Sequence, residues 1–329
     1  MIIENIELTM SQVSLGQLDE YGAMVLFGNA HSHHLVNQLE HTPEDIRDQN
    51  GLLLYPAYFM THLKVPPHRL LNRYRAWERL SVGCHVERFG ETMLDSRYIL
   101  GHEAEISEDL ETWTEDYVSM WGNNLLVVDP SQESNARKVS VPRPGAMATL
   151  QKKSRPPLAL TRSRKVRGHG FESTGPGRMR GQNPTIYQLA PFRDAVPGHA
   201  MIFAMFSRLM DYSEYHLLSQ QLSPALPTTV LNHLNLLERE TFYFGNCFAG
   251  DEVAIQVTGD MELLKPDFHG EALDIVSAAR FTFNFEVTNN RNGALLSLSR
   301  TVKLLALPTA LQDLTQDIKR FHHQHYTLG

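Results

Sequence analysis

Histidines cluster in one short segment of the sequence, "NAHSHH", which runs from Asn29 to His34. On a helix, His31 and His34 lie one turn apart and share a face, whereas His33 points in another direction. An imidazole on that face can act as a general base, and several together can bind zinc. The sequence has no His-Glu-x-x-His pattern and marks no further ligand, so we expect no metal site. The alternative is an ordinary helix with polar, partly exposed histidines.

Two tyrosines stand three residues apart in "LLLYPAYF", at positions Tyr55 and Tyr58. On a regular strand this spacing places the rings on opposite faces, so only one reaches a given pocket unless Pro56 marks a bulge. A phenol loses its proton at about pH 10. A tyrosine that attacks a substrate therefore needs a base or a cation beside it, and the histidine cluster is one source. Otherwise each ring is a half-buried aromatic side chain.

A glycine interrupts the aromatic run "ETFYFGNC", which ends at Gly245, Asn246 and Cys247. Glycine permits a ligand or another backbone segment to approach closely. Asn246 can donate an amide hydrogen bond to a ligand oxygen, and Tyr243 is a second donor in the same stretch. The alternative is a β-bulge with Asn246 in a turn-prone conformation. No histidine or basic residue neighbours Cys247 in the sequence, which favours a buried thiol over a nucleophile.

Two carboxylates lie one helical turn apart in "RLMDYSEYHLL", at Asp211 and Glu214. Because residues at this spacing share a helix face, either side chain can serve as a general base towards a bound substrate. The alternative is the polar end of an amphipathic helix.

Composition limits the class of protein. The chain has 329 residues, of which 42% are hydrophobic, and a formal net charge of -7. The length predicts two domains or one large domain, and the acidic balance argues against nucleic acid as the main partner. Two cysteines do not make a disulfide framework, and no signal peptide or membrane-spanning run is apparent. We therefore expect a cytoplasmic protein that does not bind membranes.

Two apolar segments, residues 20–40 and 198–222, are the predicted central helices. Each contains a glycine followed by a similar apolar run and becomes more polar later, which suits a helix wrapped by a curved sheet. Alternating segments at residues 278–290 and 294–306 predict a long hairpin that turns at Asn292 and Gly293.

A weak internal repeat links "AWERLSVGCHVERFGETM" to "LLERETFYFGNCFAGDEV" at a constant offset of 160 residues. Gly90 falls on Gly250, and an acidic residue follows each glycine. Both copies show a strand, a Gly-acid turn and a second strand, so each is predicted to be a β-hairpin.

These elements predict an α+β fold of the double hot-dog type, in which two antiparallel sheets each wrap around a central helix. The N-terminal unit covers residues 1–133 and the C-terminal unit residues 184–329, with a basic Pro- and Arg-rich linker at 134–183. Pairing of the units covers an exposed sheet edge and gives one continuous sheet. We expect a ligand to bind where the units meet, near the central helix.

Several of these stretches resemble a known family. "GHAMIFAMFSRLMDYSE" and "ERETFYFGNCFAGDEVAI" resemble the C-terminal half of the leinamycin-type bifunctional acyltransferase/decarboxylases of polyketide assembly lines, and "LFGNAHSHHLVNQL" and "GLLLYPAYF" resemble the N-terminal half. The resemblance covers most of the chain outside the linker. It implies a double hot-dog enzyme that takes methylmalonyl from coenzyme A, decarboxylates it and passes propionyl to an acyl carrier protein. It also implies that no metal or organic prosthetic group takes part.

The resemblance places the acyl-accepting tyrosine of the family on Tyr55. Pro56, which follows at once, and Tyr58, which stands where an apolar aromatic residue is expected, depart from the family's pattern. The role therefore falls on either Tyr55 or Tyr58.

Decarboxylation of a malonyl-type thioester produces an enolate, so this chemistry needs hydrogen-bond donors around the developing negative charge. A small residue followed by Asn lets a thioester carbonyl approach backbone N–H groups, which is the expectation for Gly28. The supporting contacts to the thioester are expected from Asn29, His31, Tyr243, Gly245 and Asn246.

Basic residues of the linker are candidates for binding anionic parts of the substrate. Arg162, Arg164 and Lys165 would meet the phosphates of coenzyme A or the acidic face of a carrier protein. The alternative is a solvated linker.

Two other functions fit the sequence. The first is a hot-dog thioesterase or dehydratase in which Asp211, Glu214 or a histidine is the base. The second is a non-catalytic scaffold that binds an acyl carrier protein. In each case we expect a monomer or a homodimer, because one chain supplies both units.

Overall fold

The first half of the chain forms a five-stranded antiparallel sheet and a long helix packed on it. The computed structural model describes residues 2–14, 16–39, 46–103, 105–113, 115–128, 139–172, 179–181, 183–190, 194, 201–222, 233–264, 275–308, 316, 318–320 and 322–323. The elements of this half are β1 (Ile2–Glu7), β2 (Val13–Ser14), β3 (Gln17–Leu18), α1 (Glu20–Leu39), β4 (Leu54–Lys64), β5 (Arg79–Phe89), β6 (Met93–His102) and β7 (Val118–Val128). Hydrogen bonds order the sheet as β1-β5-β6-β7-β4, and β2 pairs only with β3.

Helix α1 is buried along most of its length against this sheet. Asp19 caps the first turn, because its Oδ1 accepts a hydrogen bond of 2.6 Å from the Gly22 N–H. Glycine is needed at position 22, where a Cβ would collide with the carbonyl oxygen of Gln12. Further along, the fully buried Phe27 joins the apolar core that the strands supply. The cap and the core together fix the position of α1.

The segment predicted to be a linker packs against the other face of the sheet. Its described residues 139–172 include helix α2 (Leu158–His169). Ala159 and Val166 are buried in a cluster with the side chains that point away from α1, among them Phe59 and Met60. Because this apolar stripe holds α2 on the sheet, the described part of the segment is not a solvated linker. Residues 134–138, 173–178 and 182 lie outside the described residues.

The second half repeats this arrangement. Its elements are β8 (Met179–Arg180), β9 (Thr185–Gln188), α3 (Met205–Leu222), β10 (Leu234–Tyr243), β11 (Glu252–Leu263), β12 (Ile275–Asn289) and β13 (Leu295–Pro308). The strand order is β10-β13-β12-β11, with β8 and β9 both paired to β11. Leu209 and Met210 of α3 are buried against Phe281 and Phe283 of β12. Helix α3 begins at Met205, later than the predicted start.

The two halves share one topology. In each, the strand after the helix lies at one edge of its half. The next three strands follow in chain order from the far side, so that the last of them pairs with this edge strand. The two edge strands, β4 and β10, pair antiparallel with Thr61 opposite Thr241, so eleven of the thirteen strands in the described residues form one sheet. None of the helices in the described ranges is long and apolar enough to cross a membrane.

The predicted hairpin between Glu240 and Val257 is wrong. Strands β10 and β11 are not paired, because β13 and β12 lie between them. The chain leaves the sheet after Tyr243, turns at Gly250, where φ is 88°, and enters β11 on the other side of the half. Both a hairpin and a crossing connection can use a Gly-acid turn, so the turn did not identify the partner strand.

The repeat at an offset of 160 residues is wrong for the same reason. It aligns β5, which does form a hairpin with β6 through Gly90, with β10. In the shared topology, β10 corresponds to β4, and β5 corresponds to β11. The hairpin predicted around Gly293 is present, with β12 paired to β13.

Five charged side chains, four of them buried and Asp211 partly exposed, form a network that connects α1, α3, β10 and β13. The Nε of Arg239 lies 2.6 Å from Oε1 of Glu20, and its Nη2 donates to Asp211 at 2.7 Å. Lys303 Nζ donates at 2.8 Å to both Asp211 and Glu214. Three carboxylates face two cations, and burial raises the pKa of Glu20 to about 7 and also raises that of Glu214. The network therefore ties helices of both halves to the strands of the second.

Removing one cation from this network should destabilise the protein strongly. In Lys303→Met, Glu214 loses its cationic partner, and breaking a buried pair from one side costs about 3–5 kcal/mol. The matched control is Lys165→Met, because Lys165 pairs with Glu172 at the surface and surface pairs contribute little. Urea unfolding followed by circular dichroism measures both variants. Equal stability of the two variants would show that the network does not hold the helices.

Candidate functional site

A cavity of about 540 Å³ lies where the two halves meet. Helix α1, the first part of β4, and residues 201–206 and 243–246 supply most of its wall. Eight of the residues singled out from the sequence line it, namely Gly28, Asn29, His31, Tyr55, Tyr58, Tyr243, Gly245 and Asn246. Segments far apart in the sequence therefore come together at one cavity, which needs both halves.

The rest of the wall is mostly apolar. The other lining residues are Tyr21, Val25, Ser32, Pro56, Ala57, Val127, Met201, Ile202, Phe203 and Phe206. None of the described lining residues is an aspartate, glutamate, lysine or arginine. Neutral hydroxyl, amide and imidazole groups are thus the polar contacts that a ligand meets.

A β-bulge in β4 places its aromatic side chains. Tyr58 stands opposite Asn124 of β7 and Met60 opposite Asn123, so Phe59 is the extra residue. Tyr58 faces α1, while Phe59 and Met60 pack under α2 on the other side of the sheet. Tyr55, which is 38% exposed, lines the outer part of the cavity. Both tyrosines therefore reach it, and the bulge lies after Tyr58 and not at the proline.

The Tyr58 hydroxyl belongs to a hydrogen-bonded chain. It lies 2.9 Å from the hydroxyl of Tyr98, which lies 2.8 Å from Nδ1 of His31. Gly122 of β7 makes room for both rings, because a Cβ there would lie 2.7 Å from Tyr58 Cε1 and 3.2 Å from Tyr98 Cε2. Phe203 covers the Tyr58 ring from the other half, with ring centroids 4.4 Å apart. Burial raises the pKa of Tyr58, so the phenol stays protonated.

The histidines of α1 separate as the helical spacing predicts. His31 and His34 are buried, whereas His33 is exposed and pairs with Glu4. Burial, together with the neighbouring His34, lowers the pKa of His31 to about 3. At neutral pH this imidazole is uncharged. The described residues contain no group of three or more His, Cys, Asp or Glu side chains that could hold a metal ion.

Tyr243 extends the polar wall into the second half. Its hydroxyl lies 3.0 Å from Oγ1 of Thr61 across the β4–β10 pair, and its ring meets Phe206 edge to face. Burial raises the pKa of Tyr243. The hydroxyl therefore remains a neutral hydrogen-bonding group.

Gly28 does not provide the backbone donor expected from the sequence. It lies in the middle of α1, where backbone N–H groups bond within the helix. Its missing side chain instead accommodates Phe203, because a Cβ would lie 3.1 Å from Cε1 of that ring. Asn29 is exposed at the cavity wall. Gly28 therefore offers no backbone donor to an oxyanion in this cavity.

The Gly245–Asn246 segment is neither a strand nor a β-bulge. The N–H of Gly245 and that of Phe244 both bond the Leu296 carbonyl, and Cys247 accepts a bond of 2.8 Å from the Met201 N–H. These bonds hold both sides of the cavity wall together. Burial raises the pKa of the Cys247 thiol to about 12, which agrees with a buried thiol.

The basic residues of α2 do not reach the cavity. Arg162 pairs with Glu240, and Lys165 pairs with Glu172 at 2.7 Å. Arg164 is exposed on the outer surface of the same helix. Their contact with phosphate or with a carrier protein stays a prediction.

Asp211 and Glu214 also lie outside the cavity wall, because Lys303 and Arg239 hold them in the charged network. Sequence analysis missed Tyr98, Gly122 and Thr61. Their signal was weak, since each is one inward position on an alternating strand.

Comparison with known proteins identifies the fold. The chain is 12% identical to an oleoyl thioesterase candidate from Lactobacillus plantarum, with a TM-score of 0.57 over 92% of this chain and 95% of that one. An acyl-ACP thioesterase from Bacteroides thetaiotaomicron has 12% identity and a TM-score of 0.53 over 92% and 96%. A 12:0-ACP thioesterase from Umbellularia californica has 11% identity and a TM-score of 0.50 over 92% and 97%.

No protein-family model matches the sequence, and no curated protein sequence matches it. The similarity to these solved structures is therefore one of fold. A large antiparallel sheet packed on long central helices, shared over nearly the whole length of each chain, is the hot-dog fold.

Proposed function

We propose that this protein is a double hot-dog enzyme that decarboxylates a short 2-carboxyacyl thioester, such as methylmalonyl-coenzyme A, and transfers the acyl group to a carrier protein. The observation that supports this most is the neutral cavity between the two halves. Two hot-dog units with the same strand order account for its position. Cleavage of the carboxylate needs a site that stabilises an enolate and solvates the carboxylate poorly.

The neutral wall supports decarboxylation over hydrolysis in this proposal. Hydrolysis of a thioester needs a base to activate water, and the best base has a pKa near the working pH. His31 is too weak a base, since its pKa is about 3. In decarboxylation the electrons that leave the C–C bond pass to the thioester carbonyl. The substrate is therefore its own electron acceptor, and we propose that no metal or prosthetic group takes part.

Tyr58 is the proposed donor to the enolate oxygen. Its hydroxyl is fixed by Tyr98 and stays protonated because burial raises its pKa. The same burial opposes a role as acyl acceptor, which needs a phenolate. Tyr55, the acceptor that the family resemblance implies, lies in the exposed part of the wall. Asn246 and Tyr243 lie in the opposite part of the wall and are proposed to position the thioester.

Thioester hydrolysis is the second candidate. The three structures with the same fold carry thioesterase names, and Asp211 and Glu214 are the carboxylates that such a reaction would use. Both are paired with Lys303 outside the described cavity wall. A hydrolase would therefore need to open the charged network.

The reaction products distinguish the two functions. We expect the protein, mixed with methylmalonyl-coenzyme A and a phosphopantetheinylated carrier protein, to release CO2 and add a propionyl mass to the carrier. Intact-mass spectrometry follows the carrier, and trapping of CO2 follows the cleavage. Free acid with an unmodified carrier would favour hydrolysis, and binding without any product would favour the scaffold.

A matched pair of variants tests the tyrosine assignment. Tyr58→Phe removes the donor and should lower the rate of CO2 release about 100-fold, in line with the loss of one oxyanion donor. Tyr55→Phe removes a more exposed hydroxyl of the same strand and should lower the rate by less than about tenfold. The control is Tyr74→Phe, which loses a buried hydroxyl outside the described cavity wall. A larger loss in Tyr55→Phe would return the role to Tyr55.

The pH profile also separates the functions. His31 is deprotonated above about pH 3, and burial holds the pKa values of Tyr58 and Tyr243 above the ordinary value. We expect kcat for decarboxylation to be constant between about pH 5.5 and about pH 8.5. A Glu214 base would instead give a rate that rises with pH, because its pKa is raised and the base form is the unprotonated one. Rates measured across this range decide between decarboxylation and a Glu214-dependent hydrolysis. Circular dichroism at each pH checks that the protein stays folded.

A further inference from the structure

Three side chains from three elements form a continuous hydrogen-bonded chain beside the cavity. Tyr58 and His31 line the cavity, and Tyr98 bridges them with contacts of 2.9 and 2.8 Å. Ser96 lies further from the same imidazole nitrogen, at 3.3 Å. His31 is buried, and its Nε2 has no hydrogen-bond partner among the described residues. The chain thus runs from a phenol in the cavity to an imidazole nitrogen that no described protein group occupies.

The chain has two directions, which differ in where the free donor lies. In one, Tyr58 donates to Tyr98, Tyr98 donates to His31 Nδ1, and the imidazole carries its proton on Nε2. In the other, His31 Nδ1–H donates to Tyr98, Tyr98 donates to Tyr58, and the Tyr58 O–H is free for a ligand. Only a neutral imidazole can take both tautomers, and burial keeps His31 neutral at physiological pH.

The packing around the chain is specific. Gly122 lies under both phenol rings and leaves no room for a Cβ, and Phe203 covers the Tyr58 ring. These contacts hold the two hydroxyls at hydrogen-bond distance.

We propose that His31, Tyr98 and Tyr58 form a proton wire that delivers a proton to the α-carbon of the bound acyl thioester. The inference rests on the proposed function, because decarboxylation leaves an enolate that must gain one proton to become the product. The described cavity wall has no acidic or cationic side chain that could supply it. In this role Tyr58 touches the substrate, whereas Tyr98 and His31 act through it.

The C–C bond to the carboxylate breaks, CO2 leaves, and the electron pair passes to the thioester as an enolate. The Tyr58 O–H, which donates to the enolate oxygen while the C–C bond breaks, then gives its proton to the α-carbon. Tyr58 takes the Tyr98 proton, and Tyr98 takes the proton of His31 Nδ1. Nε2 finally binds a proton from water. The net reaction consumes one proton and releases one CO2.

The hydrogen-bonded chain can be tested without substrate. In protein labelled with 15N-histidine, the ring nitrogen shifts of His31 report its tautomer and the bond at Nδ1. We expect Tyr58→Phe to shift the His31 signals although Tyr58 does not bond His31, because Tyr98 must reorient. Tyr74→Phe should leave them unchanged. Unchanged His31 signals in Tyr58→Phe would show that no continuous chain exists and would overturn the inference.

An experiment in D2O tests whether the hydrogen-bonded chain delivers the proton to the α-carbon. The wild-type protein, given methylmalonyl-coenzyme A, should release CO2 and produce propionyl with one deuterium at the α-carbon in a single configuration. With Tyr98→Phe, the product should still contain one deuterium, but its two configurations should be equally abundant. The reason is that water in the cavity, which no side chain orients, then delivers the deuterium to the enolate. Gly122→Ala should give the same mixture with every hydroxyl retained, since its Cβ displaces the Tyr58 ring.

Configuration is measured by NMR after chemical hydrolysis of the propionyl thioester and esterification of the resulting propionate with a chiral alcohol. A single configuration in both variants would overturn the wire while leaving decarboxylation established. Absence of CO2 from the wild-type protein would overturn the proposed function and with it this use of the chain, and the histidine signals would still show whether the chain exists. A lower rate with unchanged configuration would indicate a merely structural role for Tyr98.

Discussion

The pairing of β4 with β10 is the contact on which the rest of the structure depends. Each is the edge strand of its half, and an unpaired edge of this length would expose a row of backbone hydrogen-bonding groups. The antiparallel register places Thr61 opposite Thr241 and Met60 opposite Phe242. It therefore completes the sheet and also brings the hydroxyl of Thr61 to that of Tyr243. The cavity lies at this seam, where α1 and the start of α3 contribute to its wall.

The bulge in β4 shows how local geometry refines this arrangement. Without an extra residue, a strand that turns Tyr58 towards α1 would turn Met60 the same way. With Phe59 inserted, Met60 packs under α2 and Thr61 faces the cavity side. One inserted residue thus serves the core on both faces of the sheet.

Sequence analysis predicted the elements well and their partners poorly. The apolar periodicity placed α1 to within a residue and located most long strands, because period and burial are local properties of the chain. The β10–β11 hairpin and the offset of 160 residues were wrong, because a turn containing Gly250 is compatible with strands on opposite sides of a half. Pairing is decided by the whole sheet, which forms from segments more than 100 residues apart, such as Met60 and Phe242.

The residues of the candidate site were likewise predictable only where the signal was local. Residues with conspicuous chemistry, such as His31, Tyr58 and Asn246, were identified because their types are unusual in apolar segments, and the fold brought them together. Tyr98 and Gly122 were not, since an aromatic residue and a glycine on alternating strands have no local signature. Only the structure shows that the glycine gives the two phenol rings their space.

The protein buries polar groups near the seam in two different ways, and the difference bears on its chemistry. Glu20 belongs to the charged network, while the next residue, Tyr21, lines the cavity. The network holds these charges away from the described cavity wall, which carries neutral donors. A substrate carboxylate against this wall would meet no lysine or arginine side chain among the described lining residues. In the proposed reaction, loss of CO2 removes this poorly solvated carboxylate and leaves an enolate, to which Tyr58 is the proposed donor. A neutral wall would then favour the decarboxylation transition state over the bound substrate, which is the condition for catalysis.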